Sequence, residues 1–155
     1  MNKYILTTLL IILNYLAACN KMPDDNHLDG QWQLMEIQQE KETKDSLFSQ
    51  VENKKDSLIY WRIHMDMLFI HTHKALLNGY TNDTAAKFIH KNNHLNITST
   101  YIHWDSRDSL LTDPNTTILE PMGISGNAED FVIEKLNKNQ MVLVSGTKKL
   151  VFRKF

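Results

Sequence analysis

Residues 58–73, LIYWRIHMDMLFIHTH, form the longest apolar run beyond the N-terminal leader, and their parity decides the fold. The odd positions Ile59, Trp61, Ile63, Met65, Met67 and Phe69 are all apolar. The even positions begin polar at Arg62, His64 and Asp66 and turn apolar at Leu68 and Ile70. Side chains of a strand alternate between two faces, so one unbroken strand cannot serve both halves of this run. The pattern predicts a bulge or turn near Met65 to Met67, giving two strands or one sharply bent strand.

The same alternation extends in both directions. Asn78-Gly79 offers a turn that accepts positive φ. Residues 85–104, AAKFIHKNNHLNITSTYIHW, read as a hairpin closed at Asn92-Asn93, because asparagine tolerates the left-handed backbone of a type I′ turn. That register sets Lys91 opposite His94, His90 opposite Leu95 and Phe88 opposite Ile97, with the two histidines on opposite faces. EDFVIEKL, QMVLVSG and KKLVFRKF give three C-terminal strands joined by polar turns at residues 137–139 and at Gly146-Thr147. With Gly146-Thr147 as a two-residue turn, Leu143 faces Leu150 and Met141 faces Phe152.

Near the N-terminus, Trp32, Leu34 and Glu36 share one face of a first strand, and Gln31, Gln33, Met35 and Ile37 the other. The charged segment 39–57 reads as a loop over a barrel mouth or edge, with Leu47, Phe48 and Val51 spaced like one helical turn. Asp113 and Pro114 suit the N-cap and first position of a short helix that stops at Pro121 and Gly123. A locally connected antiparallel sheet of this length loses its edges most simply by closing. The expected fold is all-β: an antiparallel up-and-down barrel of about eight strands with one short plug helix.

Composition narrows the partners. With 155 residues, 42% hydrophobic and 23% charged, the chain suits one globular domain. Its 17 basic and 18 acidic residues are mixed along the chain for a net charge of −1, which leaves no basic face for nucleic acid. The single cysteine, Cys19, excludes an internal disulfide.

Lys3 followed by an apolar run from Tyr4 to Leu16 is too short to span a bilayer and suits a signal peptide. The end of that run, Leu16-Ala17-Ala18-Cys19, resembles the bacterial lipobox. The resemblance implies cleavage before Cys19, lipidation of Cys19 and stable membrane anchoring through its acyl chains. Asn20 in place of aspartate resembles outer-membrane sorting in Gram-negative bacteria, with the periplasmic or cell-surface face left open. The expected organisation is a signal peptide over 1–18, a flexible tether over 19–27 and a barrel domain over 28–155.

On the first strand, Gly30-Gln31-Trp32 resembles the G-x-W signature of lipocalins and their calycin relatives. In that family the tryptophan packs across the closed end of the barrel, and an arginine on the last strand stacks on it. Arg153 is the matching position, so the resemblance implies a barrel closed by Gly30, Trp32 and Arg153. The chain as a whole is most similar to small lipocalin-like lipoproteins of gut Gram-negative bacteria, a group of unknown function.

Candidate chemistry is sparse. His71 and His73 point the same way on a strand and make the best metal pair, needing a third ligand from His64, His94 or His103. Glu129 and Asp130 are adjacent and diverge on a strand, and no nucleophile elbow or phosphate loop is present. Trp61, Met65, Met67 and Phe69, with Tyr80, Trp104 and Met122, suit an adaptable cavity for a small apolar or amphipathic ligand, or equally a core filled by side chains.

Ser46, Ser57, Thr84 and Ser109 each follow an aspartate and precede an apolar residue. The motif resembles an O-glycosylation acceptor of gut Gram-negative bacteria and is also common turn chemistry. The expectation is a monomeric, lipid-anchored, non-catalytic envelope protein without a cofactor, its barrel binding a small ligand or a partner. A filled barrel serving an envelope complex and a histidine-based metal module are the alternatives.

Overall fold

The computed structural model describes residues 27–40, 50–73, 83–104 and 107–155. Among these described residues ten strands follow in chain order: β1 (Gly30–Gln39), β2 (Gln50–Asn53), β3 (Ile59–His64), β4 (Met67–Thr72), β5 (Asp83–Lys91), β6 (His94–Trp104), β7 (Arg107–Leu110), β8 (Glu129–Leu136), β9 (Gln140–Ser145) and β10 (Lys148–Lys154). Neighbours run β10-β9-β8-β6-β5-β4-β3-β1, all antiparallel, and β10 pairs back onto β1. Eight strands therefore close a barrel. β2 flanks the far half of β1 beyond β3, and β7 flanks the upper half of β6, where β8 does not reach.

The parity change over 58–73 is a turn, as expected. β3 and β4 meet at a two-residue connection, with Met65 at φ 56°, and Trp61 pairs with Ile70 on the inner face. The expected registers of the Asn92-Asn93 hairpin and of the β9–β10 hairpin are also those observed. Inner positions converge on one apolar core in which Trp32, Trp61, Phe131 and Phe152 are fully buried.

Three expectations need correction. Within the segment read as a loop with one helical turn, Gln50–Asn53 forms strand β2 against β1, with Val51 exposed and paired with Gln38, while Leu47 and Phe48 lie outside the described residues. On β1 the parity breaks at a bulge between Leu34 and Glu36. The extra residue returns Ile37 to the inner face with Leu34, so Ile37 is buried and Glu36 lies outside. Burying isoleucine and solvating glutamate outweighs one disrupted ladder step. The short plug helix is instead a 3₁₀ turn at Glu120–Met122, C-terminal to the expected start. Asp113 uses its Oδ1 to accept the Asn115 N–H at 2.9 Å in a local turn.

The plug itself is real. The segment from Leu111 to Ala128 crosses the barrel end opposite Gly30 and sends Leu119, Met122 and Ile124 fully inside. Gly126 is required there, since a Cβ on it would lie 2.3 Å from the Pro114 carbonyl oxygen at φ +70°.

Candidate functional site

The closed end is the most legible part of the sequence, and one of its members differs. Trp32 is fully buried and donates its Nε1–H to the Leu28 carbonyl at 2.7 Å. The cation over its ring is Lys154, with Nζ 4.2 Å from the ring centroid. Lys154 also donates to the carbonyls of His27 and Asp29. Arg153 lies on the outer face, exposed, and donates to Gln33 Oε1 at 2.8 Å. The cause is register: Trp32 pairs with Lys154 and Gln33 with Arg153. Gly30 has φ +126°, and a Cβ there would sit 2.7 Å from Lys154 Nζ, so glycine leaves room for the closing lysine.

Burial lowers the Lys154 pKa below the ordinary lysine value, against the opposing pull of the Asp29 carboxylate. The folded chain therefore binds fewer protons than the unfolded chain between the lowered value and the ordinary one. Stability rises with pH through that window and levels off above it. Lys154→Ala is expected to cost about 1–2 kcal/mol through the lost ring contact and uncapped carbonyls, and to remove this alkaline rise. Arg153→Ala is expected to cost about 0.5 kcal/mol, as at most surface positions. Urea unfolding of both variants across neutral to alkaline pH measures the difference; equal losses would restore Arg153 to the closing role.

The barrel interior is packed. Trp61 lies 4.9 Å from Phe152 and 6.1 Å from Phe131 between ring centroids, and donates Nε1–H to the Met122 carbonyl at 3.0 Å. The apolar candidates do not gather. Trp61 and Met122 meet inside, Met65 is exposed in the β3–β4 turn, and Met67 and Phe69 sit on outward positions of β4. Trp104 ends β6 opposite Arg107. Tyr80, Ser46 and Cys19 lie outside the described residues.

Among the acceptor candidates, Thr84 is buried and donates its Oγ1–H toward the Met122 sulfur, 3.8 Å away. Ser57 is half-buried in a 3₁₀ turn, and Ser109 is exposed on β7.

Above the core, at the plugged end, the sequence hides an ion pair. Lys148 and Glu129 are both inward positions, with side chains 10% and 9% exposed and a 2.9 Å contact. Lys148 Nζ also donates to Ser125 Oγ at 2.8 Å, and Glu129 Oε2 accepts the Ser125 N–H at 2.6 Å. The two charges thus tie the plug segment to β8 and β10. The expected divergence of Glu129 and Asp130 holds, since Asp130 faces out and meets His94 at 2.9 Å.

The outer wall of β3 to β7 carries a groove of ≈ 450 Å³. Along its upper row, Tyr60 lies beside His71 and His71 beside Asp83, with a 2.6 Å Nδ1–Oδ1 contact. His103 lies beside Asp108 at 2.8 Å, and the Thr84–Ile102 pairing brings it next to Asp83. In the row below, Ala85 sits between Phe69 and Tyr101, with Arg62 beyond Phe69. The small side chain among large ones makes the depression.

His71 and His73 share the outer face with ring centroids 6.5 Å apart. Among the described residues no three His, Cys, Asp or Glu side chains are arranged to hold a metal ion.

A family model described as a lipocalin-like domain matches residues 14–155. Two solved structures share the fold. One is a lipocalin-like protein from Bacteroides uniformis, 20% identical, covering 83% of this chain and 98% of its own with a TM-score of 0.56. The other is an uncharacterized protein from Bacteroides eggerthii, 19% identical, covering 82% and 98% with a TM-score of 0.57. No curated protein matches.

Proposed function

The chain belongs to the lipocalin-like domain family, and from that premise we propose that it is a lipid-anchored, monomeric, non-catalytic binding module of the Gram-negative outer membrane whose barrel interior is structural. A lipocalin-like barrel supports a ligand-binding or a structural role. The observation that favours binding on the outside is the enclosure of Trp61 by Phe131, Phe152 and the Met122 main chain, at the place where a ligand would have to sit. The groove over Ala85 offers a concave surface with mixed polar and aromatic lining, the common form of a small-ligand site. The order of residues 16–19, Leu-Ala-Ala-Cys, supports anchoring at Cys19.

Fractionation of the chain and its Cys19→Ser variant in a Gram-negative host tests the anchor. The natural chain is expected in the outer-membrane fraction and the variant to be lost from it, because a serine at position 19 carries no acyl chains and gives no lipobox cleavage. Unchanged outer-membrane retention would refute the anchor. For the interior, anilinonaphthalene sulfonate is expected to give no saturable fluorescence enhancement with the folded chain; saturable one-site binding quenched through Trp61 would return the ligand to the barrel.

A further inference from the structure

Deepening the reading of the outer wall as the binding surface, and resting on it, we propose that the groove over Ala85 binds neutral sugar rings of a glycan. A pyranose has an apolar C–H face and a rim of hydroxyls that both donate and accept. The groove matches both parts. Phe69, 44% exposed, and the half-buried Tyr60 supply aromatic surface beside the Ala85 dip, which admits a ring where a larger residue would exclude it.

Polar groups stand where hydroxyls would fall. The 2.6 Å contact of His71 Nδ1 with Asp83 holds the ring in place and turns Nε2 away from the carboxylate, toward a hydroxyl that can either donate or accept. Arg62 adds planar donors on the other side of Phe69. At the far wall Asp108 Oδ1 lies 2.8 Å from His103 Nδ1 and fixes that ring.

Charge and size select among occupants. Among the described residues that line the groove, one guanidinium and two carboxylates, each carboxylate in contact with an imidazole, give no strong net field for a highly charged ligand. A purely apolar ligand would desolvate Arg62, His71 and Asp83 without replacing their water. The ≈ 450 Å³ volume lies within the range of roughly 300–1,000 Å³ typical of small-ligand sites.

The test uses the full chain in a detergent without sugar headgroups, such as an amine oxide. Maltotriose, cellotriose, mannotriose and xylotriose are the probes, followed by saturation-transfer NMR and titration calorimetry. At least one trisaccharide is expected to bind saturably. Ala85→Trp, which fills the dip, and Phe69→Ala, which removes the platform, are each expected to weaken it at least about tenfold with an unchanged melting temperature, since both are outward positions. Should Ala85→Trp not fold, Phe69→Ala decides.

The proposal is overturned if none of the four trisaccharides binds, if binding survives in the folded variants, or if laurate binds the groove in their place with the same sensitivity. A chain that binds no trisaccharide but still partitions with membranes through Cys19 loses this inference alone.

Discussion

Trp61→Ala is expected to destabilise the domain by about 3–5 kcal/mol, with a fall in melting temperature on the order of 10–20 °C. Trp61 is fully buried, packs on Phe152 at 4.9 Å and Phe131 at 6.1 Å, and its indole N–H satisfies the Met122 carbonyl at 3.0 Å. Truncation removes the packing and leaves that carbonyl without its donor. Trp61→Phe separates the two contributions, because it keeps an aromatic ring but loses the N–H; a cost of about 1–3 kcal/mol is expected. Urea unfolding of both variants measures the losses. The result bears on function, since a tryptophan lining an open ligand cavity would be replaceable with little loss of stability. A cost below about 1 kcal/mol for Trp61→Ala would reinstate an interior ligand site.

The same residue shows how far a local sequence pattern reaches. Trp61 is legible as inward from the alternation over 58–73, because period two is a local property of the backbone and needs no tertiary information. Whether an inward tryptophan borders a ligand or another side chain depends on Phe131, Phe152 and Met122, between 61 and 91 positions away. Those distances are set by barrel closure and by the path of the plug, which no local pattern encodes. The plug segment departs from its helical expectation for the same reason: Asp113-Pro114 is good helix-start chemistry, but the residues that follow are recruited by the apolar interior at Leu119, Met122 and Ile124. Tertiary burial outweighs local propensity there.

The closing cation is legible in principle and lies one position beyond the expected one. The Gly146-Thr147 turn already sets Leu150 and Phe152 on the inner face, and the period of two then places Lys154, not Arg153, inside. Family resemblance favours an arginine, whereas the register favours a lysine; the hydrogen-bonded ladder to β1 follows the register. The groove is invisible in the sequence because most of its members are outward positions on five strands whose order becomes known only when the sheet is assembled. His71 and His73 stand out by spacing along one strand, yet the nearest polar partner of His71 is Asp83, across the ladder.

Glu129→Ala is expected to cost about 3–5 kcal/mol, and the double variant Glu129→Leu with Lys148→Met to return most of it. Both side chains are only about one-tenth exposed, at 9% and 10%, so removing the carboxylate strands the Lys148 ammonium over the Phe131 ring, 5.5 Å from its centroid, with Ser125 Oγ as a neutral acceptor. Coulomb attraction inside the barrel compensates the desolvation of both charges only while both are present. An apolar pair of similar volume needs no such compensation and continues the core formed by Leu150 and Phe131. What the pair supplies beyond stability is placement: Glu129 accepts the Ser125 N–H and Lys148 donates to the Ser125 side chain, so the charges fix where the plug segment re-enters the wall at β8. The double variant is therefore expected to recover melting temperature while amide hydrogen exchange at Ser125 and Gly126 becomes faster, because the apolar pair restores burial without a partner for the Ser125 N–H. Full recovery of exchange protection together with stability would assign the plug's position to apolar packing alone; a double variant as unstable as Glu129→Ala would mean that the interior at this level tolerates only the charged pair.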